Sequence, residues 1–171
     1  MSSNQAVAIL ITGLPGSGKT YFAKHFAPAI NAAYFSSDIM RKSKAPDHTY
    51  SISEKHHVYA ALLERMEHSL RAGQTVVIDA TFFLESLRDE FNKVAKTTHS
   101  KVRWIEVRAN KSVIRDRLSK PREDSEADYG VYLKLRDQYQ PLKERHLVLH
   151  SDKYTLDEMI EKAKDWMEEE I

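Results

Sequence analysis

The chain has 171 residues, 42% hydrophobic and 30% charged, with a net charge of +1 and no cysteine. A chain of that size can bury a core unaided, and the missing thiols exclude a disulfide framework and any thiolate metal site. Near-neutral charge argues against general coating of nucleic acid. Met1-Ser2-Ser3-Asn4-Gln5 lacks the basic start of a signal peptide, and no apolar run reaches membrane-spanning length. The expectation is one cytoplasmic domain over 1–171.

Ala6-Val7-Ala8-Ile9-Leu10-Ile11 is an apolar run of the kind found in strands buried on both faces of a parallel sheet. It leads into Gly13-Leu14-Pro15-Gly16-Ser17-Gly18-Lys19-Thr20, which fits G-x-x-x-x-G-K-[ST] throughout. Glycines let the backbone curl until successive N–H groups point inward at a polyphosphate. Lys19 then reaches the β- and γ-phosphates, and the Thr20 hydroxyl is placed for Mg²⁺. A nucleoside triphosphate, ATP first, and Mg²⁺ are the expected ligands. Tyr21, Phe22, His25 and Phe26 recur at helical spacing, and Pro28 marks the expected end of that helix. Strand, glycine loop and helix form the context that the motif requires.

Further strands are predicted over 33–36, 75–78, 102–107 and 147–149. Between and after them, helical patterns cover 54–71, 85–96, 111–120, 127–138 and 156–169. Ser51-x-x-Glu54 and Thr155-x-x-Glu158 read as capping boxes, and Gly73 as a helix stop. The segment 41–51 reads as one long polar loop. Strands alternating with helices imply right-handed crossovers, hence a three-layer α/β/α P-loop NTPase fold. Its five-stranded sheet is expected to be mostly parallel, with a helical lid over about 111–140.

Ligands of such sheets bind at the carboxyl ends of the strands. The glycine loop, Asp38, Asp79 and a basic segment all fall there. Asp79 ends an apolar strand and suits a carboxylate near bound Mg²⁺, or else a simple helix cap. Ala80 follows it where many motor-type ATPases carry a water-activating Glu, which favours transfer over hydrolysis. Asp38 is placed to take a proton from an acceptor hydroxyl, with Arg41 one helical turn on to keep it ionised. The alternative is a helix cap with an i,i+3 salt bridge. From Arg108 to Arg122 there are six basic residues and one acid. Arg115, Arg117 and Arg122 could close over the phosphates, or line a solvated helix face. The adjacent His56 and His57 diverge on a helix and cannot share a metal. Tyr129, Tyr132 and Tyr139 read as packing.

With these residues assembled, the chain resembles the P-loop kinases of the AAA_33 or zeta-toxin-like group, which includes the kinase domain of phage-type polynucleotide kinases. The resemblance runs from Ala6 to His150 through the glycine loop, Ser36-Ser37-Asp38-Ile39-Met40-Arg41, Val77-Ile78-Asp79-Ala80-Thr81-Phe82 and the lid segment. It implies that Asp38 is the general base with Arg41 its partner, and that Arg122 or Arg117 contacts the phosphates. The expected activity is transfer of the ATP γ-phosphate to a hydroxyl of a small-molecule or nucleotide-like acceptor. A 5′-hydroxyl polynucleotide kinase and a non-enzymatic nucleotide switch are the alternatives. For the first, an evident basic, aromatic-lined groove is missing, so nucleic acid is not the favoured partner. For a guanine-reading switch, Asn110-Lys111-Ser112-Val113 lacks the Asp of N-K-x-D.

Overall fold

The computed structural model describes residues 5–44, 52–120 and 128–170. Five strands alternate with helices in this order: β1 (Val7–Thr12), α1 (Lys19–Ala29), β2 (Ala33–Ser36), α2 (Ser37–Lys44), α3 (Ile52–Arg71), β3 (Val76–Asp79), α4 (Glu85–Thr97), β4 (Lys101–Arg108), α5 (Lys111–Leu118), α6 (Tyr129–Gln138), β5 (His146–His150) and α7 (Leu156–Glu168). The sheet order is β2-β3-β1-β4-β5. Every pairing is parallel, so the sheet is wholly and not just mostly parallel. No helix among the described residues is long and apolar enough to cross a membrane.

The period-two geometry of a strand divides the core into two layers. On β1, Ile9 and Ile11 face one side, with Phe22 and Phe26 of α1 and Met159, Ala163 and Trp166 of α7. Ala8 and Leu10 face the other, with Leu62 and Met66 of α3 and Phe91 of α4. A third, smaller cluster of Ile114, Leu118 and Tyr132 joins α5 to α6 and packs on Leu14 of the glycine loop. The lid therefore has a core of its own, and that core rests on the loop.

The boundaries depart from the sequence reading in places with identifiable causes. Pro28 lies inside α1, because losing one N–H near a C-terminus leaves Ile30 N still bonded to Phe26 O at 3.2 Å. Of the four residues read as its apolar stripe, Tyr21 (58% exposed) and His25 face solvent, while Phe22 and Phe26 are buried with Ala23 and Ala27. Residues 41–44 continue α2 as helix, whereas the rest of that predicted loop, with Ser51, lies outside the described residues. β3 is displaced by one residue, which brings Asp79 into the sheet opposite Ile11 and Ser36. Of the second capping box the N-cap half forms, Thr155 Oγ1 accepting from Glu158 N at 3.2 Å, and Gly73 has φ +73°.

Candidate active site

The loop after β1 is shaped by its glycines. Gly16 has φ +80° and Gly18 φ +95°, values that side chains with a Cβ rarely adopt. A Cβ on Gly16 would stand 3.0 Å from Ile114 and Leu118, so α5 is seated directly against the loop. Gly18 is the N-cap of α1 and no side chain caps that end; the first turn carries no acid. By contrast α7 is capped by Thr155 and holds Asp157 and Glu158 in its first turn. The positive end of α1 is thus left to an external anion. A cleft of about 490 Å³ opens there, lined by Gly16, Gly18, Lys19, Thr20 and Arg117.

Asp79 lies under this loop and is 1% exposed. Its Oδ2 accepts from Tyr34 Oη at 3.0 Å, while its buried Oδ1 has no hydrogen-bond partner among the described residues. Burial raises its pKa, Lys19 and the Thr20 hydroxyl pull it down, and Asp38 pushes it up. A buried carboxylate oxygen without a hydrogen-bond partner among the described residues, together with the Thr20 hydroxyl, makes an oxygen donor pair suited to a hard cation such as Mg²⁺. Thr20 and Asp79 would hold it.

Asp38 sits in the first turn of α2, and Arg41 Nη1 donates to its Oδ1 at 2.8 Å. Arg41 is 7% exposed and also faces Glu54 at 3.5 Å. The oxygen near the start of α2 that accepts from Ile39 N belongs to Ser36, at 3.5 Å. Asp38 instead lines the large cleft and, beyond it, a second cavity of about 30 Å³ bounded by Arg41, Lys55, Tyr59, Phe83 and Leu135. Lys19 lines both spaces as well.

The lid arginines separate. Arg117 Nη1 donates to Gly16 O at 3.0 Å and to Ser151 Oγ at 2.9 Å, which brings its guanidinium to the phosphate loop. Arg115 is exposed and turns toward Tyr129, 5.4 Å from the ring centroid, away from the loop. Arg122 lies outside the described residues. Tyr129 and Tyr132 stack on each other at 5.5 Å, consistent with packing. His56 and His57 are exposed, and the described residues contain no cluster of metal-ligating side chains.

The family model AAA_33, an AAA domain, matches residues 9–142. The chain belongs to the AAA_33 family. Solved structures similar to this AAA_33 chain are P-loop kinases in the main. The APS kinase CysC of Mycobacterium tuberculosis, in complex with AMPPNP and APS, superposes with a TM-score of 0.75 at 20% identity, covering 96% of this chain and 99% of that one. Kti12 of Chaetomium thermophilum, in complex with ADP-AlF3, gives 0.73 at 20% identity, with 95% and 100% covered. A gluconokinase of Sinorhizobium meliloti 1021 gives 0.71 at 17% identity, with 95% and 92% covered. Among curated proteins none matches. At these identities the likeness establishes the fold.

Several residues of the AAA_33 site escaped the sequence reading. Ser151 follows β5 and accepts from Arg117, while its own hydroxyl donates to Ser17 O. The strand-end rule that singled out Asp38 and Asp79 points there equally. Thr12, Tyr139 and Glu106 carried no such signal. Thr12 Oγ1 donates to Thr81 O at 2.5 Å and meets Tyr139 Oη at 3.2 Å, and Tyr139 Oη reaches Glu106 at 3.5 Å. Burial raises the Tyr139 pKa to about 12, so the phenol keeps its proton.

Proposed function

We propose that this chain is an Mg²⁺-dependent kinase that moves the γ-phosphate of ATP to a hydroxyl of a small-molecule or nucleotide-like acceptor. The observation that carries the reading is the position of Asp38, between the cleft over the glycine loop and a separate cavity on its far side. A carboxylate shared by a donor space and an acceptor space is where a general base for transfer has to stand.

The loop amides, the uncapped start of α1 and Lys19 hold the donor phosphates. Thr20 and Asp79 would hold Mg²⁺, which when bound would supply positive charge to the donor phosphates. The acceptor oxygen attacks the γ-phosphorus, the bond to the β–γ bridging oxygen breaks, and ADP leaves. The hydroxyl proton passes to Asp38, which Arg41 holds in place at 2.8 Å. Arg117, anchored on Gly16 O, adds charge against the transferring group from the lid. Buried Ala80 offers no carboxylate to activate water beside Asp79. Positioning and electrostatics supply most of the rate in such loose transition states.

The reading is tested by ATP-dependent transfer to a panel of small hydroxyl compounds, nucleosides and oligonucleotides. Asp38→Asn should bind ATP by calorimetry yet lose transfer by about 10²-fold or more. Full transfer in that variant would discard Asp38 as the base. Lys19→Ala should lose nucleotide binding itself. A nucleotide switch would bind ATP and phosphorylate nothing.

A further inference from the structure

The inner cavity is lined by charged side chains, and one lysine among them has no carboxylate at ion-pair distance among the described residues. Asp38 and Arg41 of α2 and Lys55 and Tyr59 of α3 line it, and Val131 and Leu135 of α6 close it. Arg41 already faces two carboxylates, Asp38 at 2.8 Å and Glu54 at 3.5 Å. Lys55 is half-buried, and its Nζ lies 4.9 Å from the centroid of the Phe83 ring. Lys134 of α6 is exposed and stands outside the lining of this cavity. Among the described residues no acid lies within ion-pair distance of Lys55 or Lys134. Burial, then the charges of Arg41 and Lys134, lower the Lys55 pKa.

We infer that the acceptor is a compact alcohol that also carries an anionic group, a carboxylate or a phosphate, received by Lys55 while its hydroxyl faces Asp38. The inference rests on the kinase reading above. A partly desolvated ammonium with no carboxylate at ion-pair distance is costly. An incoming anion removes that cost and gains charge-assisted hydrogen bonds, so the same feature becomes affinity for anionic acceptors. A lysine head is a compact point charge and serves either anion. The cavity of about 30 Å³, walled by Val131 and Leu135, has room for little more than the anionic end of such a molecule, whose remainder would stay in the larger cleft that Lys19 and Asp38 also line.

The test is ATP-dependent transfer to matched triplets: glycerol, glycerate and glycerol 3-phosphate; then ribitol, ribonate and ribitol 5-phosphate; then glucose, gluconate and glucose 6-phosphate. Anionic members should show KM at least about tenfold below their neutral parents, and the carboxylate and phosphate arms tell the two anions apart. Lys55→Met should raise KM for the anionic acceptor about tenfold with kcat changed less than about threefold, and Lys55→Arg should recover most of the loss. Equal use of neutral and anionic members overturns the inference and leaves the kinase reading standing. So does an unchanged KM in a folded Lys55→Met. Nucleotide binding with transfer to no member removes the kinase reading for small acceptors, and the inference falls with it.

Discussion

Arg117 Nη1 donates to the carbonyl of Gly16 at 3.0 Å, so a lid helix is bonded directly to the backbone of the phosphate loop. The same nitrogen donates to Ser151 Oγ at 2.9 Å, which ties both to the end of β5. A mobile arginine is here fixed on rigid backbone.

For the transfer reaction, Arg117→Ala should lower kcat/KM by about 10²-fold or more, the loss expected when a preorganised donor is removed. Arg117→Lys should recover only part of the loss, since the shorter lysine carries a compact ammonium without the planar guanidinium. Arg115→Ala removes a contact with Tyr129 instead, and should show in stability by about 0.5–1 kcal/mol. Steady-state kinetics and thermal unfolding of the two variants separate these outcomes.

Asp79 gives a pH dependence whose sign is fixed by its environment. Burial raises its pKa in the folded protein, so the metal-free fold binds this proton more tightly than the unfolded chain does. Stability of the metal-free protein is therefore lost as pH rises through the folded pKa of Asp79. As the proposed Mg²⁺ ligand, Asp79 would have to be ionised, so the affinity for Mg²⁺–nucleotide should fall on acidification sooner than an ordinary carboxylate would allow. Asp79→Asn should abolish the Mg²⁺ enhancement of nucleotide binding and stabilise the metal-free protein by about 0.5–2 kcal/mol. Calorimetry and thermal melts at stepped pH check both.

Phe82 has φ +49°, an unusual value for a buried aromatic residue. Tyr59 Oη accepts from its N–H at 2.9 Å, Arg88 Nη1 donates to its carbonyl at 2.8 Å, and its ring meets Phe91 and Trp104 edge-on. Tyr59→Phe leaves that buried N–H without an acceptor and should cost about 1–3 kcal/mol in denaturant unfolding. A loss below about 0.5 kcal/mol would show that the turn holds without it.

Arg88 is 0% exposed and binds three carbonyls, those of Phe82, Gln140 and Pro141, at 2.8, 2.8 and 3.1 Å. It clamps the turn after β3 to the segment that returns from the lid. Arg88→Met strands those acceptors and should cost about 3–5 kcal/mol. Chemical unfolding of the variant measures it.

The fold was legible because the repeated signals agreed: apolar runs for the strands, helical periodicity between them, and a glycine loop that makes sense only between a strand and a helix. The residues at strand ends, Asp38 and Asp79, were legible for the same reason. Tyr59 and Lys55 were not. They come to the site from the middle and start of a helix whose local pattern describes only its packing face, and their approach depends on how α3 crosses the sheet. Arg88 reads locally as a surface charge on α4, since nothing nearby announces the three carbonyls it meets from sequence-distant turns. The lid arginines shared one basic segment, yet Arg115 and Arg117 part company, because residues two apart on a helix point to different sides.

The donor grip comes from one continuous stretch, the end of β1 and the start of α1, while the walls beside Asp38 are contributed by α2, α3 and α6. On the kinase reading proposed above, substitutions at Lys55, Phe83, Val131 or Leu135 would redraw what is phosphorylated without disturbing how the phosphate is delivered. A scaffold divided in that way is well suited to diversification: one inherited engine, with the choice of cargo written in separate helices.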